Sequence, residues 1–522
     1  MGRVQNKFVK NLNPYDATTE VNYEGFPTFQ RSDEEAYLQV LLTNTLGGTF
    51  YASEEKLLRE SLGLHAQMTQ DSPQFAAKAI VYARNEGLMR MQPVIGLAHL
   101  AKRHPQIARQ IFSRVILTPG DLADFVEIVR GGVVGSKGMG RAIKRMIANW
   151  LLNLSEYHAL KYATGGQGYA IRDILRLVHP KTTSEKQNTI FMYLTQPDKW
   201  LDTRSRALTP QLEAFEMLKK SPPDEYEGLI ASGKLPYEIV TGVIQPDKSL
   251  WSSLMRQMPY MALMRHLNTL QKAGVLADQD NAAYVATRMN DAENIHKAKI
   301  LPFRLFTAYK MFNPQNHVEQ AVSESLVSAI DKSFVNLPDL EGVICIAPDV
   351  SGSMSGQLTD KGATRFIDVA GIFAAALLKK SKMSLVLPFE SRVVPIKLSA
   401  QDSMMTTANR LAAIGGGGTS LSAPIKQLID DRTKVDIFIG ITDSAEWVGS
   451  GFVELWQQYK RHVSPKAKAF LIQLAPYRHA VAPQNEPDVY YIYGWSDSIL
   501  KFIALTANGL GTQVDAVNKY EL

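Results

Sequence analysis

The chain has 522 residues, 45% of them hydrophobic and 21% charged, which excludes a disordered polyelectrolyte and is too long for one ordinary core. Its single cysteine, Cys345, excludes an intramolecular disulfide and a thiolate metal cluster; inside an apolar run it reads as a small hydrophobe. The net charge of +6 is uneven: residues 1–338 hold 39 basic and 33 acidic side chains, whereas 339–522 hold 18 of each.

The first residues lack the apolar core of a secretory signal, and Asn6 breaks the myristoylation pattern. No apolar run approaches the roughly 18 residues that a membrane helix needs. A cytoplasmic protein is expected. From about residue 33 to 335, apolar residues recur at three- and four-residue spacing, as in 54–67, 73–85, 92–103 and 122–129, the period of amphipathic helices. Breaks such as Asp71-Ser72-Pro73, Thr118-Pro119-Gly120 and Pro222-Pro223 separate them. Many short helices in series predict stacked helical pairs with irregular repeats, since no strict period recurs. An ordinary irregular helical domain gives the same pattern.

Within this half, residues 137–186 carry 9 basic and 3 acidic side chains, enough for the whole imbalance and a local field that attracts polyanions. Ile143, Met146, Ile147 and Trp150 form one helical stripe while Arg141, Lys144 and Arg145 share the opposite side. Ile171, Ile174, Leu175 and Val178 form a second stripe, with Arg172, Arg176 and His179 following one another at i, i+4, i+7. Thr182 with Glu185 offers a capping box for the next helix. Between the two stripes lies a basic–aromatic loop beginning at Lys161-Tyr162. Any one of these cations fits a solvated helix face; the cluster, with few compensating acids, fits phosphate contacts with aromatic stacking beside them.

After Leu337-Pro338-Asp339 the pattern changes. Strand-length apolar runs at 343–347, 383–389, 435–441 and 469–474 alternate with helical patterns at 363–380, 403–413, 420–430, 452–461 and 496–506. That alternation predicts a doubly wound α/β domain over 339–522, after an all-α domain over 1–338. Ligands of such sheets bind beyond the carboxyl ends of the strands. There the sequence places Asp349, Ser351 and Ser353, then Thr419 after the glycine run 415–418, and Asp443 after the third strand. Five hard oxygens suit Mg²⁺, with Mn²⁺ or Ca²⁺ as alternatives, and not zinc. A turn capped locally by Asp and Ser is the simpler reading of 349–353 alone.

These five residues, in this order, resemble the metal-ion-dependent adhesion site of von Willebrand factor type A domains. Residues Gly138 through Trp150 and Arg172 through His179 resemble the RNA-binding TROVE module of the Ro autoantigen family, so the resemblance spans essentially the full length and looks like a bacterial Ro orthologue. It implies a ring of HEAT-like helical repeats closed by the type A domain, working as a monomer. It further implies small non-coding Y-like RNAs on an outer basic surface and single-stranded 3′ ends of misfolded or structured RNAs in the central hole. Exoribonucleases are the partners it implies. His179 falls on a family Y RNA contact and Lys161 on another, while 164–168 lacks a further expected cation and Ser420 stands where relatives often carry an acid.

No catalytic constellation is legible. Glycines 135, 138 and 140 lack the preceding strand and third glycine of a dinucleotide loop, and no G-K-[ST] phosphate loop occurs. Hydroxyl-rich ligation around two carboxylates leaves a cation electrophilic and suited to a partner's carboxylate, without an evident general base. The expected function is a non-catalytic RNA-binding scaffold of a small ribonucleoprotein. The alternatives are a metal-dependent protein-interaction module that binds RNA incidentally, and a metal-dependent nuclease.

Overall fold

The computed structural model describes residues 19–21, 27–29, 32–44, 54–135, 137–163, 169–298, 300, 302–333, 340–358, 364–443, 451–475, 482, 486–494, 499, 503 and 512–522. Residues 19–332 contain a short antiparallel pair, β1 (Thr19–Val21) and β2 (Pro27–Phe29), followed by helices in close succession. The expected segments appear as Glu54–Asp71, Pro73–Asn85, Met91–Arg103 and Pro119–Gly131. Their starts follow local chemistry. Proline occupies the first turn at 73 and 119, where its missing N–H costs nothing, and Thr118 and Asp121 form a capping box. The helix after the basic window starts differently from expectation. Its N-cap is Ser184, which accepts from the Gln187 N–H, while Thr182 Oγ1 accepts from the Ser184 N–H at 3.0 Å in a local turn.

The C-terminal part is a five-stranded, all-parallel sheet in the order β4 (Met383–Val386), β3 (Val343–Pro348), β5 (Ile437–Thr442), β6 (Lys468–Gln473), β7 (Val489–Tyr493). Helices Phe366–Lys380, Met404–Ala412, Ser422–Asp430 and Phe452–His462 match four of the expected patterns; 496–506 lies almost wholly outside the described residues. β5 is buried at every position and β3 at all but the first, as strands covered on both faces must be. The sequence reading missed β7. The chain moves from β3 to β4 on one side and then to β5 on the other, so β3 and β5 flank the point where strand order reverses. That is where an open α/β sheet opens a ligand crevice.

Two compact units emerge: Met1–Gln92 with Leu301–Thr307 and Ile330–Glu521, and Pro93–Ile300 with Ala308–Ala329. The helices before residue 93 thus belong with the sheet. Gln39 Nε2 donates to Gln473 Oε1 (3.0 Å) and to the Ala475 carbonyl (3.1 Å), next to the end of β6. Among the described residues no helix is long and apolar enough to cross a membrane.

Candidate functional site

The oxygen donors gather at the β3/β5 crevice because three loops are tied together there. The Asp349 N–H donates to the Ile441 carbonyl (2.9 Å), the Gly352 N–H to the Gly417 carbonyl (3.2 Å), and the Gly416 N–H to the Val350 carbonyl (3.1 Å). All five predicted donors are buried, Asp349 and Asp443 completely. Asp349 Oδ1 accepts from the Ser351 N–H at 2.8 Å and Oδ2 from the Thr442 hydroxyl at 2.6 Å, and Ser351 Oγ stands 3.2 Å from Ser353 Oγ.

Burial pushes the Asp349 carboxyl up to about 6 despite those hydrogen bonds, as expected for a carboxylate removed from water. Asp349 forms no ion pair with a Lys or Arg among the described residues. Among the described residues, Thr419 Oγ1 is buried with no hydrogen-bond partner. Buried hydroxyls are ordinarily satisfied, so this orphaned oxygen, on a segment tied by backbone hydrogen bonds to the Asp349 loop, fits a small hard cation. The residues present would hold it through Asp349, Ser351, Ser353, Thr419 and Asp443.

A fourth loop, unread in the sequence, completes this end of the sheet. The Gly418 N–H donates to Ser391 Oγ (3.0 Å) and the Ser420 N–H to the Glu390 carbonyl (2.8 Å). The Glu390 side chain fills the space that a Cβ on Gly417 would need, and Gly417 has φ of +73°. Its position just after the β4 run, matching those of Asp349 and Asp443, was the available signal.

The cations occupy two helices, Arg141–Leu151 and Ile171–Val178, packed on each other. The first buries Ile143, Met146, Ile147 and Leu151; Trp150 is half-buried and its Nε1–H donates to the Ile116 carbonyl at 2.8 Å. Arg141, Lys144 and Arg145 are exposed opposite. Each buried aliphatic side chain contributes about 1.5–3 kcal/mol, while like charges at i, i+3 and i, i+4 cost a few tenths. The apolar face therefore holds the helix, and the cations are tolerated rather than structural. No acid sits in its first turn and Gly140 provides no side-chain cap, so Arg141 stands where the helix dipole prefers an anion.

On the second helix Arg172 and Arg176 are exposed, and His179 is an exposed, left-handed C-cap with φ of 47°. Arg172 approaches Asp173 at only 3.8 Å and Arg176 donates to the Thr195 carbonyl at 3.3 Å. Lys161 differs. It ends the helix Glu156–Lys161, is half-buried, and pairs with Glu238 at 2.7 Å, which outweighs burial and raises its pKa. The expected loop at 164–168 lies outside the described residues. Sequence reading also passed over Arg130, exposed at the end of Pro119–Gly131, whose guanidinium lies 5.3 Å from the centroid of the Tyr169 ring.

A helical region followed by a parallel sheet with hard-oxygen loops at its switch point defines a two-part protein with a von Willebrand factor type A-like domain. A family model described as "Ro60 vWA domain" matches residues 343–505, and one described as "TROVE domain" matches 245–341. These two matches, in this order, make the chain similar to Ro proteins. It is 22% identical over 515 residues to the Deinococcus radiodurans "RNA-binding protein RO60", covering 94% of this chain and 95% of that one. The Caenorhabditis elegans protein of the same name is 20% identical over 466 residues, covering 76% and 71%. The crystal structure of the Deinococcus radiodurans Ro (RSR) protein superposes with a TM-score of 0.69 at 20% identity, over 92% of this chain and all of that one. It shows the shared fold. The cationic helices lie before the matched TROVE range.

Proposed function

We propose that this chain is a non-catalytic RNA-binding scaffold that docks RNA on Arg141, Lys144, Arg145, Arg172, Arg176 and His179. The observation that carries this reading is the pair of packed helices presenting exposed cations with weak or no acidic partners among the described residues. Similarity to proteins named RNA-binding supports it. Contacts of this kind position RNA by charge and shape. The family resemblance extends the proposal to Y-like small RNAs as ligands of this face. It also extends it to handling of single-stranded ends of misfolded RNAs beside exoribonucleases in the cytoplasm. Lys161, neutralised by Glu238, contributes less than its sequence position suggests.

The buried oxygen cluster supports a second element: a divalent cation held by Asp349, Ser351, Ser353, Thr419 and Asp443. When bound, such an ion offers an electrophilic position to a partner's carboxylate. A protein-interaction role for this end of the sheet rests on that.

Labelled structured RNA, incubated with the protein with and without Mg²⁺, tests these readings in one gel-shift and cleavage assay. Replacing Lys144, Arg145 and Arg172 together with Ala should weaken binding and flatten the slope of log affinity against log salt by about 2 to 3. An unchanged slope removes RNA from this face. Asp349→Ala should leave RNA affinity untouched, and shortening of the RNA by wild type that this variant loses would instead make the protein a nuclease.

A further inference from the structure

A series of partly exposed rings lies on helices of the helical unit other than the cationic pair. It starts on the helix Glu156–Lys161 and its cap, where Tyr162 and His158 lie 6.4 Å apart between centroids and His158 and Tyr157 5.5 Å. The Lys161–Glu238 ion pair joins it to the helix Tyr237–Val243. Tyr237 then meets His266 edge-on at 4.8 Å, and His266 meets Trp251 at 6.3 Å with a tilt of 38°.

None of the six rings is fully buried. Of the nearby acids, Glu238 is matched by Lys161 and Glu156 by Lys186, while Asp247 caps the helix that carries Trp251. Burial and the Lys161 charge hold the His158 imidazole below its usual range, so it is a neutral flat ring near pH 7. Burial and the neighbouring Glu238 push the Tyr237 phenol up to about 12, so it too stays uncharged. Lys248, one helical turn before Trp251, and Arg265, beside His266, are exposed and form no ion pair among the described residues. Flat neutral rings flanked by free cations are the chemistry that binds unpaired nucleotides: bases stack on the rings and phosphates meet the cations.

We infer that the Tyr157–Tyr237–His266–Trp251 line is a base-stacking surface for single-stranded RNA, distinct from the cationic helices. It rests on the RNA-binding reading and adds to it a surface selective for unpaired bases. The rings sit further apart than stacked bases, so the bound strand is splayed, each base resting on its own ring. Duplex RNA, whose base faces are covered, is not a ligand here.

The test compares an unstructured oligouridylate with a fully paired RNA hairpin on the full chain. Trp251→Leu with Tyr237→Leu keeps apolar bulk but removes the rings. It should weaken oligouridylate binding roughly tenfold or more while leaving hairpin affinity and the salt slope unchanged. Trp251→Phe with Tyr237→Phe keeps rings at both positions and should retain wild-type binding of both RNAs. The inference is overturned if the Leu pair binds oligouridylate like wild type, if it loses both RNAs equally, or if wild type does not bind oligouridylate. Hairpin binding by wild type reports separately on the wider RNA reading: its presence with failure of the ring test sinks only the stacking surface.

Discussion

Thr419 is the residue whose environment is hardest to explain without a ligand. Its hydroxyl is buried and unpartnered among the described residues, and leaving such a group unsatisfied costs about 1–3 kcal/mol. Thr419→Val keeps the shape and removes the orphaned oxygen. In a chelator the variant should therefore melt at the same temperature as wild type or higher. In millimolar Mg²⁺ or Mn²⁺ wild type should gain stability by mass action while the valine variant gains little. Thermal melting with and without metal checks both halves, and equal metal-induced shifts in the two proteins would end the cation assignment. The donor identities were legible because Asp, Ser and Thr stand at strand ends in a recognisable order. The Thr442 hydroxyl on Asp349 was not, since a strand-terminal threonine reads as ordinary β chemistry.

At the scale of elements, the loop Gly415–Gly418 does more than give Thr419 reach. Gly417 adopts φ of +73° and packs against the Glu390 carboxylate, while its carbonyl accepts from the Gly352 N–H. Gly417→Ala adds left-handed strain of about 1–2 kcal/mol and must displace Glu390. The expected result is a lower melting temperature together with a weaker metal-induced shift, because the loop links the Thr419 and Asp349 segments. A variant that melts lower yet keeps the full shift would show that the loop stabilises the fold without positioning donors. The glycine run signalled freedom in the sequence. That its third glycine makes room for a glutamate from a different loop required the coordinates, because that glutamate is distant in the chain. The helix start at Ser184 is a similar case: Thr182 and Ser184 both carry suitable hydroxyls, and the local turn decided between them.

For the whole molecule, the change in composition at 338/339 marks where helices give way to alternating strands and helices, but the compact units divide elsewhere. The helix Asp33–Thr43 is buried from Glu35 to its end, with Gln39 bonded at the end of β6. Tyr82 accepts a hydrogen bond from Gln513 Nε2 at 3.3 Å and packs edge-on against Tyr520. A fragment of residues 330–522 should accordingly be poorly soluble or melt broadly, and adding back 19–92 should restore a sharp transition in thermal melting and resistance to proteolysis. If the fragment alone melts as sharply and as high as the restored pair, the N-terminal helices are dispensable to the sheet. Periodicity along the chain determined the helices, four of the five sheet strands, the amphipathic faces that expose the cations, and the strand-end placement of the hard oxygens, because each depends on neighbours within a few residues. Tertiary structure alone decided that Lys161 is spent on Glu238, that Thr419 lacks a partner among the described residues, that Tyr237 and Trp251 both meet His266, and that the first helices belong with the last sheet. Those outcomes rest on contacts between segments tens to hundreds of residues apart, which local pattern does not encode.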